Sequence, residues 1–143
     1  MFLGEFSYTI DEKKRLAVPA KFRSALGKKA VITRGLDSCL FLFTQKEWQK
    51  LAEKLSALPL GQKDARGFSR LMLAGAMEVS MDSLGRILIP DYLKEYASLK
   101  KQVVIAGVYS RLEVWDTNLW NAYKKQNERD ADKLAEAMGE VGI

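Results

Sequence analysis

Residues 11–19 read DEKKRLAVP and residues 82–90 read DSLGRILIP, so an acid, a turn, an arginine, an apolar stretch and a proline occur twice. The two copies align from Gly4 with Gly75 onward. After one inserted residue the match continues to Trp48 and Trp120. Self-similarity over about 45 residues indicates an internal duplication, which decides the architecture.

Each copy predicts the same order of elements: strand, turn, strand, short helix, hairpin and longer helix. Pro19 and Pro90 end the second strand and suit the first position of a helix, which in the first copy covers residues 20–26. Gly85 suits a positive φ in the second turn. Because Lys14 occupies that position in the first copy, either the two turns differ or Lys14 is strained.

The rest of the chain predicts two hairpins and several helices. Gly35 and Gly107 are expected at the start of the hairpin turns. A capping box at Thr44 opens one helix, and another begins at Lys63. A single long helix is expected from about Thr117 to Met138, with its apolar points at Trp120, Tyr123, Leu134 and Met138.

Neither copy is large enough to bury its apolar face alone, so the two should pack as a pseudo-twofold pair. The fold class predicted is α+β. The expected boundaries are a first repeat at 1–48, a helical connection at 49–74, a second repeat at 75–120 and a C-terminal helix at 121–143.

The composition argues against most enzyme classes. The 143 residues include no histidine. This excludes catalysis by Ser-His or Cys-His pairs and zinc sites with histidine ligands. No phosphate-binding loop or dinucleotide fingerprint occurs, and the acidic residues are scattered. Cys39 lies in the apolar stretch CLFLF, as a small buried hydrophobe does. We therefore predict no enzyme activity, no cofactor, no metal and no small-molecule substrate, with an unrecognised carboxylate enzyme as a remote alternative.

No apolar run is long enough to cross a membrane, and the start of the chain lacks the pattern of a secretory signal. We expect a cytoplasmic protein without a membrane partner.

Positive charge is concentrated at the start of the chain. The net charge is +5, and eight of the 23 basic residues but only three of the 18 acidic residues lie between positions 1 and 34. The remainder of the chain is electrically balanced. This pattern favours an acidic partner that meets the first repeat, although a solvated surface is the alternative.

The first turn predicts a double-stranded DNA contact. Arg15 is expected to reach a guanine edge, with Lys13 and Lys14 on phosphates or in the groove. Lys21 and Arg23 on the short helix are expected to hold the DNA backbone.

Arg86 is equivalent to Arg15 and either contacts DNA or only holds its turn by pairing with Asp82. The pairing of Asp11 with Arg15 is the corresponding alternative in the first turn.

Two further pairs of residues have simpler interpretations. Lys28–Lys29 and Lys100–Lys101 occupy matching positions before a strand and are interpreted as solvated turns, with nucleic-acid contact as the alternative. Trp48 and Trp120 lie at helical spacing from other apolar residues, so core or subunit packing is favoured over stacking on bases.

The paired Asp-x-x-x-Arg-x-x-x-Pro elements resemble the MraZ family of bacterial transcriptional regulators, which are built from two SpoVT-AbrB-like modules. The resemblance covers nearly the whole chain and is carried by MFLGE, DEKKRLAVPAKFR, TRGLDSCLF, KDARGFSRL and MDSLGRILIP. Two positions depart from the family's usual pattern: Lys14 stands where glycine is usual, and Leu84 stands where lysine is usual. These departures shift the expected DNA contact toward the first repeat.

The resemblance implies a tandem swapped-hairpin β-barrel with flanking helices and a ring-like homo-oligomer. It also implies a nucleoid-associated regulator that binds repeated DNA elements upstream of the division and cell-wall gene cluster, including its own gene. An antitoxin-like or scaffolding module without specific DNA binding is the alternative, because similar modules occur in antitoxins.

Overall fold

The computed structural model describes residues 1–143 and confirms the α+β class. The strands are β1 Phe2–Thr9, β2 Arg15–Ala17, β3 Lys29–Arg34, β4 Leu40–Thr44, β5 Met77–Ser80, β6 Arg86–Leu88, β7 Gln102–Tyr109 and β8 Leu112–Asp116. The α-helices are α1 Ala20–Leu26, α2 Gln45–Ser56, α3 Lys63–Ala74, α4 Asp91–Tyr96, α5 Thr117–Arg129 and α6 Ala131–Met138, followed by a 3₁₀ turn at Gly139–Val141. None of these helices is long and apolar enough to cross a membrane.

The two sheets join strands from both repeats. Six strands form an antiparallel sheet in the order β1-β7-β8-β4-β3-β5, and β2 pairs with β6 in a separate ribbon. Thus β1 of the first repeat pairs with β7 of the second, while β5 of the second pairs with β3 of the first. The order is unchanged when the two repeats are exchanged, as expected of a pseudo-twofold pair.

The main core is shared equally between the repeats. It contains 20 buried residues, half of them from each repeat. Equivalent pairs such as Leu16 with Ile87 and Val18 with Ile89 are almost fully buried. Because each repeat supplies only half of this cluster, neither has a complete core of its own.

A second apolar cluster lies on the other face of β4, since successive strand residues point to opposite faces. Phe41 and Phe43 belong to it, and α2, α3 and α5 cover it. Trp48 packs 5.7 Å from the Phe43 ring, and Trp120 packs 5.3 Å from the Trp115 ring, measured between centroids. The prediction that the helical tryptophans serve packing is confirmed.

Two expectations about local structure are wrong. Gly107 lies inside β7 rather than at the start of the turn, where its lack of a side chain admits the backbone of Leu3. The helix expected to run unbroken to Met138 is interrupted at Asp130, which has φ −96° and ψ 12°. Aspartate favours helix ends because its side chain competes with helical hydrogen bonds. Here the Asp130 carboxylate accepts from Gln126 Nε2 at 2.6 Å.

Two of the expected boundaries fall inside helices. The limit after residue 48 lies within α2, and the limit after residue 120 lies within α5.

Candidate nucleic-acid interface

The first turn, residues 11–15, is organised around one carboxylate. Asp11 Oδ1 accepts hydrogen bonds from the backbone N–H groups of Lys13 and Arg15, both at 2.9 Å. The other carboxylate oxygen accepts from Arg15 Nε, also at 2.9 Å. The side chains of Lys13 and Lys14 are left exposed. The turn therefore fixes its arginine directly after two exposed lysines.

The second turn, residues 82–86, repeats this geometry. Asp82 Oδ1 accepts from the N–H groups of Leu84 and Arg86, and Asp82 Oδ2 accepts from Arg86 Nε, all at 2.9 Å. The pairing of Arg86 with Asp82 is thus present, and so is the equivalent pairing in the first turn. The turns differ at the three positions between aspartate and arginine, which are Glu12, Lys13 and Lys14 in the first turn and Ser83, Leu84 and Gly85 in the second.

The two turns share one backbone conformation. Lys14 has a φ of 63° and Gly85 a φ of 77°, and each N–H donates at 3.0 Å to the carbonyl of its turn's aspartate. Of the two alternatives for Lys14, the strained one is therefore correct. Its ammonium group lies 2.7 Å from an oxygen of Asp91 at the start of α4, so a first-repeat cation is held by the second repeat.

The turns lie at opposite ends of the short antiparallel β2–β6 ribbon, where Arg15 pairs with Leu88 and Arg86 pairs with Ala17. The carbonyl of Lys14 accepts from the N–H of Ile89, and the carbonyl of Gly85 accepts from the N–H of Val18, both at 2.9 Å. Arg86 Nη1 lies 4.0 Å from Asp11 Oδ2. Each turn is thereby fixed by the strand end of the other repeat.

Hydrogen bonding also sets the charge of the two aspartates. The backbone N–H of Arg15 lowers the pKa of Asp11, and the Arg15 side chain adds to the effect. The backbone N–H and side chain of Arg86 lower the pKa of Asp82 in the same way. Both carboxylates are ionised at neutral pH and hold the arginines in one orientation.

Each arginine has binding capacity left after pairing. Its Nε is committed to the aspartate, but the two terminal nitrogens form no hydrogen bond within the protein. The side chains of Arg15 and Arg86 retain 32% and 27% exposure. A guanidinium group oriented in this way can still donate two hydrogen bonds to a phosphate or a guanine edge.

Lys21 and Arg23 do not join the first turn. Lys21 Nζ lies 5.3 Å from the centre of the Phe6 ring and 5.4 Å from that of Phe22. Arg23 donates from Nε to the carbonyl of Val18 at 2.9 Å and covers Gly85 of the second turn. The structure thus gathers Lys13, Lys14, Arg15 and Arg86 and places Arg23 on the second turn.

Three lysines of the second repeat lie beside the first turn. Lys94, Lys100 and Lys101 line a shallow pocket of about 390 Å³ together with Lys14. Sequence reasoning interpreted Lys100 and Lys101 as a solvated turn and did not select Lys94. The signal that was missing is the pairing of β1 with β7, because only that register brings the start of β7 to the first turn.

The chain is similar to known proteins over its full length. The family model for the MraZ protein, described as antitoxin-like, matches residues 1–71 and again residues 72–141. A protein named Transcriptional regulator MraZ from Carboxydothermus hydrogenoformans is 50% identical over 138 residues, 96% of each chain. Proteins of that name from Acetivibrio thermocellus and Clostridium beijerinckii are 48% and 49% identical over 143 residues, all of each chain.

Proposed function

This chain belongs to the MraZ family, and on that premise we propose that it is a transcriptional regulator that binds double-stranded DNA through its first turn. The observation that carries the proposal is the pair of equivalent turns of unequal charge. Both hold an arginine on an aspartate, but only the first surrounds that arginine with exposed lysines. We propose no enzymatic role.

In this proposal the basic residues make different kinds of contact with DNA. Arg15 reads a guanine edge through its terminal nitrogens, because its Nε is held by Asp11. Lys13 and Lys14 contact phosphates or the groove edge. Lys21 and Arg23 hold the DNA backbone, with Arg23 acting beside the second turn. Arg86 is available at the second turn but lacks lysine neighbours at its tip.

The proposal includes a swapped-hairpin barrel and assembly into a ring. The exchange of β1 and β5 between the repeats supports the barrel. Leu3 and Tyr109, which are 52% and 66% exposed, leave apolar surface for packing between copies. A ring would present several turns at fixed spacing, and several weak contacts would then bind repeated DNA elements with avidity.

The proposed target is repeated DNA upstream of the division and cell-wall gene cluster, including the protein's own gene, which makes the protein cytoplasmic and nucleoid-associated. Three relatives are named as transcriptional regulators, which supports a role in the regulation of transcription.

The direct test is fluorescence anisotropy of a labelled duplex from the region upstream of the protein's own gene, with a scrambled duplex as competitor. We expect tight binding that weakens with salt and prefers the upstream duplex. Equal affinity for the two duplexes would replace specific regulation with general DNA binding. Failure of the assembled oligomer to bind either duplex would reject DNA binding and favour the antitoxin-like or scaffolding role that the family description allows.

A further inference from the structure

The pocket beside the first turn is built by both repeats. The first repeat supplies Asp11, Glu12 and Lys14, and the second supplies Lys94, Lys100 and Lys101. The sequence alone does not reveal this arrangement, because residues 75–120 of the second repeat hold five basic and six acidic residues. The fold nevertheless concentrates three of its lysines at the first repeat's turn.

Strand pairing and an ion pair place these lysines beside the first turn. The N–H of Ile10 donates to the carbonyl of Lys101 at 2.8 Å, directly before the first turn begins. This bond extends the β1–β7 ladder, whose last pair is Thr9 with Gln102. Lys94 projects from α4, whose first residue, Asp91, pairs with Lys14. The lysine positions are therefore coupled to the turn by strand pairing and by an ion pair.

The three lysines outnumber the one unpaired acidic side chain of the pocket, Glu12. None of them forms a salt bridge, whereas Lys14 is paired with Asp91 and Arg15 with Asp11. Lys100 and Lys101 are also exposed. Unpaired ammonium groups on a concave surface attract a polyanion and release its counterions on contact.

The equivalent pocket at the second turn differs in its free charge. It is lined by Arg23 and Lys28 together with Asp82 and Ser83. Arg23 already donates to the carbonyl of Val18, and neighbouring Lys29 lies 3.7 Å from Glu78. Arg23 and Lys28 form no salt bridge, so this pocket offers two cations to a phosphate where the first pocket offers three unpaired lysines.

We propose that Lys94, Lys100 and Lys101 bind backbone phosphates of the DNA that the first turn reads, so that the DNA-binding surface is composed across the two repeats. This inference rests on the proposed function. Lysine suits the role because its ammonium group is a compact point charge that meets a phosphate without demanding one geometry. These contacts position the DNA and contribute little to the choice of sequence.

The test compares two variants of equal charge in the full-length protein. Lys100→Gln with Lys101→Gln changes the proposed site, and Lys28→Gln with Lys29→Gln changes the equivalent pair beside the second turn. Affinities for the upstream duplex and for a scrambled duplex are measured by fluorescence anisotropy at several salt concentrations. Circular dichroism and gel filtration confirm that both variants keep the native fold and assembly.

We expect the Lys100/Lys101 variant to reduce the slope of log affinity against log salt by about 1.8, which corresponds to two lost phosphate contacts. Affinity should fall by the same factor for both duplexes, and the Lys28/Lys29 variant should keep a slope close to the native one. Equal slopes in the two variants would overturn this inference while leaving the proposed function intact. A native protein that binds neither duplex would overturn both.

Discussion

At the residue scale, the decisive feature is an aspartate that organises a five-residue turn. Asp11 and Asp82 each satisfy two backbone N–H groups and one guanidinium Nε. A carboxylate is needed because it accepts several charge-assisted bonds at once. The arginine is fixed as a result, and its free nitrogens face a limited set of directions.

Lys14 offers a test of backbone strain. Lys14→Gly and Lys14→Ala both remove the ion pair with Asp91, but only glycine relieves the positive φ of 63°. We expect the glycine variant to be more stable than the alanine variant by about 1 kcal/mol. Urea unfolding of the two variants measures the difference. An alanine variant of equal or greater stability would contradict the assignment of strain.

The aspartates predict how stability depends on pH. Because folding lowers the pKa of Asp11 and Asp82, the unfolded chain binds more protons in acid. Their contribution is present above the ordinary aspartate pKa of about 3.9 and is lost as pH falls through the lower folded values. As the pH falls from 6 to 2.5, the melting temperature of the double variant Asp11→Asn with Asp82→Asn should therefore decrease less than that of the native protein. Glu12→Gln, at an exposed carboxylate without a partner, is the control and should follow the native curve.

At the scale of elements, strand pairing across the repeats sets the position of each turn and of the lysines at the start of β7. The β1–β7 pair brings Lys101 to the first turn, and the β2–β6 pair fixes each turn against the strand end of the other repeat. These pairs depend on close backbone contact, most clearly at Gly107, where an added Cβ would lie 2.6 Å from the nitrogen of Leu3.

Gly107→Ala tests the β1–β7 contact. The new methyl group must displace backbone atoms of β1, so we expect a loss of about 1–3 kcal/mol in the free energy of unfolding. Gly61→Ala is the matched control because no atom lies within 4 Å of its added Cβ. Denaturant unfolding of both proteins measures this loss. Similar midpoints would show that β1 shifts freely, contrary to the pairing described.

The sequence predicts the helices and strands better than it predicts which strands pair with each other. Proline and glycine positions located α1 correctly from Ala20 to Leu26, because both act on local φ angles. The alternation of apolar residues shows which face of a strand is buried but not which strand lies beside it. The exchange of strands was expected only from resemblance. The lysines beside the first turn were missed because their position depends on that exchange.

At the scale of the whole molecule, the two repeats form one folding unit. The main core draws half of its residues from each repeat, and the outer strands β1 and β5 pair only with the other repeat. The duplication thus completes the core and places two equivalent turns on one ribbon, of which the first carries three basic residues and the second carries one.

This interdependence predicts the behaviour of fragments. Residues 1–74 alone lack the partners of β1 and β2, so the fragment should show no cooperative unfolding as a monomer. Mixing it with residues 75–143 should restore a cooperative transition, followed by circular dichroism. A monomeric first fragment that melts cooperatively would contradict the shared core.

The most direct test of the account compares Arg15→Ala with Arg86→Ala in anisotropy titrations of the upstream duplex. The two arginines make the same bonds to their aspartates at 2.9 Å, so the structural cost of removing either one should be similar. We predict that Arg15→Ala loses about 1–3 kcal/mol of binding free energy and its preference over a scrambled duplex, whereas Arg86→Ala keeps most of both. Equal losses, or a larger loss for Arg86→Ala, would contradict the claim that the first turn reads DNA while the second completes the fold.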